Sequence, residues 1–251
     1  MNPFNSLTHY DLKEENVTRY SDSFILIEKK NWDYNLAHNF QKDCVDYVRE
    51  NKKVRIFIIC NHPHCFTLGR GLQRNKELDG VELIDFNPEL RQRLTIPLYD
   101  IKRGGGLTFH YPGQLICYPI CSLGQKFDVY KVMNYLLDIA TQTLIQKYGL
   151  NDLSYKQKLL GLWWNKKKLA SIGIAVTRFI TYHGMALNVL QDEVMNQQLQ
   201  KVYPCGLPGS VYVSLQEILK GSDVYDEFWK LFKNELVSRE MTSVQECLQG
   251  L

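Results

Sequence analysis

Residues 203–209 read YPCGLPG, and the sulfur at their centre, Cys205, sits in backbone that a packing cysteine does not need. Pro204 would delete an amide from any strand ladder and Gly206 would weaken the segment. A nucleophile has other needs: exposure on a loop, backbone N–H groups beside a developing oxyanion, and a base that makes the thiolate. At the reference thiol pKa of about 8.5 only about 3% is ionised at pH 7, and lowering that pKa by two units takes about 2.7 kcal/mol of favourable interaction with a cation or donor. Lys168 is the candidate source. It follows Lys166 and Lys167, which read as a solvated turn, and it enters a strand. Strand alternation places Lys168, Ala170 and Ile172 on one face and Leu169 and Ser171 on the other. An inward-facing, partly desolvated amine titrates below about 10.4 and becomes a base. Spacing assigns no Cys-His-Asn or Cys-His-Asp arrangement, although His110 and His183 remain available.

Three other stretches carry polar or permissive residues. RGGGLTFHYPGQ, residues 103–114, holds three consecutive glycines directly after a strand, with Arg103, Thr108, His110 and Gln114 close by. Such a triplet serves either as a hairpin or bulge, or as a place where a ligand approaches the backbone. It does not fit GxxxxGK[ST], because no Lys-Ser or Lys-Thr follows it. His183-Gly184 lies on a later strand, where a lone histidine is either a hydrogen-bonded core residue or an auxiliary catalytic group. CNHPHC, residues 60–65, resembles a ligand cluster, yet alternation points its side chains apart, and structural zinc sites draw ligand pairs from two separated segments. No metal site is expected.

The elements that must position these residues are those of an α+β protein. FILIEKK and VRIFIIC read as strands around an amphipathic helix carrying Trp32, Leu36, Phe40, Cys44 and Tyr47. Residues 71–95 read as a charged loop. The pattern from Asp128 to Tyr148 predicts a helix with Asp128 as N-cap and Gly149 as its stop. LLGLWWN, KKLASIGIAVTR and FITYHGMALNVL read as antiparallel strands, the first pair joined by a tight turn at Asn165. SLQEILKG and VYDEFWKLFKNELVSRE are helical. Residues 1–23 show no pattern and are read as an N-terminal extension, with a single catalytic domain over 24–251.

Composition narrows the class further. Of 251 residues, 45% are hydrophobic and 23% charged, the balance of a globular protein. Thirty Lys and Arg against 27 Asp and Glu give a formal charge of +3, too small an excess for a nucleic-acid binder. No apolar run approaches the roughly 20 residues of a membrane-spanning helix, and the opening MNPFNSLTHYDLKEEN lacks a basic start and an apolar centre. Seven scattered cysteines suit free thiols better than a disulfide framework. A cytoplasmic protein is expected, with no membrane and no nucleic-acid partner.

HPHCFTLGR (62–70), RGGGLTFHYPGQLICYPI (103–120), KLASIGIAVTRFITYHGMALNV (168–189) and PCGLPGSVYVSL (204–215), taken in this order, resemble the motifs of the lipoyl(octanoyl) transferases of lipoate biosynthesis. The resemblance runs from about Phe24 to the final helix. Tyr111, Met185 and Asn61 depart from the residues usual at their places. The resemblance implies a mixed β-sheet flanked by helices, similar to the biotin/lipoate protein ligase fold. It also implies a cysteine-lysine dyad of Cys205 and Lys168. Carried over by position, Arg103, Gly104, Gly105, Gly106, Leu107, Thr108, Phe109, His110, Ser171, Ile172, Gly173, Gly184, Met185 and Ala186 would line the substrate pocket. The implied donor is octanoyl-acyl carrier protein, and the implied acceptors are lipoyl domains of 2-oxoacid dehydrogenase complexes and the glycine cleavage H protein, with no cofactor. The competing expectations are an ATP-dependent lipoate protein ligase, which needs no cysteine nucleophile, a cysteine hydrolase, and a non-catalytic protein that binds lipoyl domains or acyl carrier.

Overall fold

The computed structural model of the chain describes residues 2–70, 94–124, 128–155, 160–199 and 209–249. The loop expected at 71–95 therefore lies almost wholly outside the described residues, as does Cys205.

Eight strands form the main sheet: β1 (Val17–Ser21), β2 (Phe24–Lys29), β3 (Arg55–Cys60), β7 (Gln114–Ile120), β11 (Ile180–Asn188), β10 (Lys167–Thr177), β9 (Gly161–Trp164) and β8 (Leu153–Tyr155), in that spatial order. Among the described residues of this sheet, only β2 and β3 pair in parallel. Their connection is the helix α1 (Tyr34–Glu50), as a parallel pair requires. Three further strands, β5 (Leu98–Asp100), β4 (Cys65–Leu68) and β6 (Leu107–His110), make a separate small sheet. LTFHYPGQLICYPI is thus divided at Pro112-Gly113 between two sheets.

FILI and IFIIC are apolar at every position because both faces of the main sheet are covered. On one face Phe24, Leu26, Phe57 and Ile59 pack with helix α2 (Val129–Tyr148) and helix α5 (Tyr225–Gln249), through Leu136, Ile139, Phe228 and Phe232. On the other face Ile25, Ile27, Ile56 and Ile58 meet Phe40, Cys44 and Val48 of α1. Leu107 and Phe109 of the small sheet, with Tyr111 just after it, pack with Met195 and Leu199 of the short helix α3 (Glu193–Leu199).

Helix ends follow their local codes. Asp128 accepts from the Lys131 amide, and Gly149, at φ +65°, closes α2 with its N–H on the Ile145 carbonyl. Asp33 caps α1, so Trp32 stands before the helix rather than on its face. Ser214 and Glu217 form a capping box on helix α4 (Leu215–Ile218). Asn165 and Lys166 both take positive φ in the two-residue turn between β9 and β10. Among the described residues no helix is long and apolar enough to cross a membrane.

Residues 2–23 are not a loose extension. β1 pairs antiparallel with β2, Leu12 is buried, Phe4 meets Phe40 edge-on, and the Trp32 indole N–H donates to the Tyr10 carbonyl at 2.6 Å. These residues lack periodicity because they form short 3₁₀ turns that anchor one side chain at a time.

Candidate functional site

Lys168 is 3% exposed, in keeping with an inward-facing amine, but the face it occupies differs from strict alternation. Against β9, Lys168 pairs with Trp163 and Ala170 with Leu162, leaving Leu169 as a bulge. Leu162 and Ala170 belong to the core on the α2 side. Directly opposed residues share a face, so Lys168 lies with Trp163, and with the Gly161–Ser171 pair, on the other. The extra residue inverts parity, and Lys168 joins Ser171 and Gly173 rather than Ala170 and Ile172. Its Nζ stands 5.7 Å from the Trp163 ring centroid. Gly161 makes room for the stem, because a Cβ there would fall 2.9 Å from Lys168 Cε and 2.1 Å from the Ala170 carbonyl oxygen.

Over the same face lies the glycine loop. Arg103 is buried and its guanidinium donates to Gly104 O at 3.0 Å, to both the carbonyl and Oγ1 of Thr67 at 2.9 Å, and to Thr108 Oγ1 at 2.7 Å. The Gly104 amide donates to Ile174 O at 3.3 Å. Gly105 takes φ +79°, the left-handed conformation that glycine allows. A Cβ on Gly173 would lie 2.5 Å from Gly104 O, so this glycine permits the loop to rest on the sheet. Gly173→Ala is expected to push the loop off β10 and to cost about 1–3 kcal/mol, read as a lower urea midpoint. An unchanged midpoint would show that the loop yields freely.

Not every residue carried over to the pocket turns its side chain to this face. Leu107 and Phe109 point into the core under α3, whereas Thr108 and His110 point toward Arg103 and Thr67. Ile172 and Met185 are packed in the α2-side core. Ser171, Gly173, Gly184 and Ala186 alternate with them through the pairs Ser171–Ala186 and Gly173–Gly184. Leu107, Phe109, Ile172 and Met185 therefore present backbone only, for a reason of parity. Tyr111, which departs from the motif, is likewise buried, with its hydroxyl on the Leu190 carbonyl at 2.8 Å.

Four histidines gather beside α1. His183, at φ +56°, has turned its ring away from its neighbour Ile174 and onto His38, with centroids 5.1 Å apart and planes 12° from parallel. Its amide donates to Gln41 Oε1 at 2.9 Å. Burial, then the charges of His38 and Arg103, hold the His183 imidazole well below the usual range. His110 is held down in the same way by burial, His62 and Arg103. His62 lies between the Trp32 carbonyl at 2.7 Å and the Tyr118 hydroxyl at 2.9 Å, and burial pulls it down to about 4. Of the CNHPHC side chains, Cys60, in the α1-side core, stays 3.8 Å from His62 Nε2, whereas Cys65 packs with Tyr34 and Ile101 and His64 pairs with Asp192 at 2.9 Å. Among the described residues no three His, Cys, Asp or Glu side chains could hold a metal.

Sequence reading missed Tyr34, His38 and Gln41, although their spacing on α1 places a polar stripe within its buried side. Orphaned buried atoms occur here, namely Tyr34 Oη, His38 Nδ1, Gln41 Nε2 and His183 Nε2.

Cys205 lies outside the described residues, and the described segment that follows it runs along the Lys168 strand. Gly209 lies against Leu199, so close that a Cβ would fall 2.7 Å from the Leu199 carbonyl oxygen. Tyr212, seven residues after Cys205, bridges to Lys168, and the Val213 amide donates to the Lys168 carbonyl at 3.1 Å.

Residues 33–237 match the lipoyl protein ligase A/B catalytic domain family. The chain is 32% identical over 184 residues to an octanoyltransferase of Bacteroides thetaiotaomicron, covering 71% of this chain and 76% of that protein. It is 30% identical over 231 residues to an octanoyltransferase of Christiangramia forsetii, covering 85% and 92%. The crystal structure of lipoate-protein ligase A bound with ATP superposes with a TM-score of 0.60 at 13% identity, covering 86% of this chain and 84% of that one, a likeness of fold. The mixed sheet flanked by helices is thus that of the lipoate protein ligases, and the chain belongs to the lipoyl protein ligase A/B catalytic domain family as an acyltransferase.

Proposed function

We propose that the protein transfers an octanoyl group from octanoyl-acyl carrier protein to a lysine of lipoyl domains, through a thioester on Cys205 with Lys168 as general acid and base. One observation carries this reading: a buried amine, Lys168, lies on the glycine-lined face beneath the Arg103 loop, and the chain leaving Cys205 is bonded to the backbone of that same lysine. Lys168 takes the proton of the Cys205 thiol. The thiolate attacks the carbonyl carbon of the octanoyl thioester, and the carrier's thiol leaves with the proton held by Lys168. A neutral acceptor lysine then attacks the enzyme thioester; its excess proton passes to Lys168 and on to the departing Cys205 sulfur, which restores the starting state. A thioester is already activated toward an amine, so the reading requires neither ATP nor metal. Gly104, where a Cβ would meet nothing nearer than 3.7 Å, lets loop backbone come close to an acyl chain, and exposed N–H groups would meet the developing oxyanion.

Intact-mass spectrometry after mixing with octanoyl-carrier protein tests the proposal. A C8 adduct should form on the wild-type chain, disappear in Cys205→Ser and persist in Cys117→Ser, whose buried thiol has its pKa raised by desolvation. ATP–pyrophosphate exchange that survives Cys205→Ala would replace this reading by that of an ATP-dependent ligase. Free octanoate released without an acceptor would replace it by a hydrolase.

A further inference from the structure

One unbroken chain of buried hydrogen bonds runs from the glycine loop to the segment that follows Cys205. Arg103 Nη2 donates to Thr67 Oγ1 at 2.9 Å, and the Thr67 hydroxyl donates to His110 Nε2 at 3.1 Å. His110 Nδ1–H donates to Gln114 Oε1 at 3.0 Å, Gln114 Nε2 to Asn188 Oδ1 at 2.9 Å, and Asn188 Nδ2 to the Val213 carbonyl at 3.3 Å. A second Gln114 hydrogen goes to the Phe109 carbonyl at 3.0 Å. Every group in the chain is buried. Because the Gln114 amide oxygen only accepts, His110 Nδ1 carries a proton, and burial, which holds the imidazole neutral, leaves Nε2 to accept from the Thr67 hydroxyl. That assignment makes His110 a link rather than a proton carrier, in accord with the low proton affinity that its burial enforces. Fully satisfied buried networks of this kind specify a single arrangement of the segments they join.

The far end of the chain is the informative one. The Val213 carbonyl receives Asn188 while the Val213 amide donates to Lys168 O, so the residue is held from both sides, between β11 and the start of β10. We propose that Gln114 and Asn188 are positioning residues of the transfer site, which hold the chain leaving Cys205 in register with the Lys168 strand and the Arg103 loop. This rests on the Cys205–Lys168 reading above.

Asn188→Asp is the near-isosteric test. An ionised carboxylate still accepts from Gln114 but meets the Val213 carbonyl oxygen without a proton, whereas a protonated one donates as the amide does. At pH 8 the acylation rate at saturating octanoyl-carrier protein is expected to fall about 10- to 100-fold, with the KM for the donor changed less than about threefold. Burial raises the pKa of the introduced carboxyl, so the ratio of variant to wild-type rate should climb at least about fivefold between pH 8 and pH 6. A rate within about threefold of wild type at pH 8, or a deficit that does not change with pH, overturns the proposal. If this variant does not fold, Gln114→Glu, which still accepts from His110 but cannot donate to Asn188, is read in the same way. Wild type assayed alongside separates the two inferences. Failure of the wild-type chain to form the C8 adduct on Cys205 rejects the thioester itself, while a wild-type adduct with an unimpaired variant rejects only the positioning role.

Discussion

Lys168→Met should abolish most of the transfer activity while leaving the fold intact. The unbranched thioether can follow the path of the lysine stem past Gly161 and Trp163, so packing is retained and only the titratable amine is lost. General acid–base groups contribute about 10²- to 10⁴-fold, and the single-turnover rate of Cys205 acylation is expected to fall by that factor. Lys168→Arg should do little better: the guanidinium keeps a charge but surrenders no proton near neutral pH, and its planar head is bulkier than an ammonium. Urea unfolding of the Met variant should match wild type to within about 1 kcal/mol. A near-normal acylation rate in a folded Lys168→Met would remove this lysine from the chemistry and leave activation of the sulfur to backbone donors alone.

The second large effect is on stability. His62, His110 and His183 are buried as neutral imidazoles, and burial lowers the proton affinity of each. The unfolded chain takes up these protons below about pH 6.5, whereas folded His62 does so only near 4. The unfolded state therefore binds more protons in this window, and stability must fall as pH drops from about 6.5 toward about 4. For His62 alone the loss at pH 5 is about 2 kcal/mol, with His110 and His183 adding in the same direction. Glu240 opposes this, since burial raises its carboxyl pKa and favours its protonation in the folded chain. Three imidazoles outweigh one carboxyl. The free energy of urea unfolding should be lower at pH 5 than at pH 7 by several kcal/mol, a large share of the 5–15 kcal/mol typical of a domain. His62→Gln should flatten the dependence, because it removes one proton site while an amide can still reach toward the Trp32 carbonyl. Equal stability at the two pH values would mean that the histidine cluster opens to water in solution.

What sequence alone determined about this protein is local. Asp128 and Gly149 bound α2, and Asn165 with Lys166 turns β9 into β10, because caps and turns are written in the few residues that form them. FILIEKK and VRIFIIC were legible as strands, β2 and β3, and the helices that cover both of their faces came with the tertiary structure. Lys168 was legible as an inward amine, and RGGG as a place of close backbone approach.

Only the tertiary structure decided how these pieces face one another. The bulge at Leu169 exists in the pairing of β10 with β9, and one unpaired residue moves Lys168 from the Ala170 face to the Ser171 face. His183 turns toward His38 through a left-handed φ that side-chain type does not announce. The unpatterned N-terminus became an edge strand and a lid on Phe40 because partners far along the chain receive it. The chain of bonds from Arg103 to Val213 joins the local group Arg103, His110 and Gln114 to Thr67, Asn188 and Val213, which nothing local ties to it. Parity and long-range hydrogen bonds depend on which strands become neighbours, and that choice belongs to the folded core as a whole.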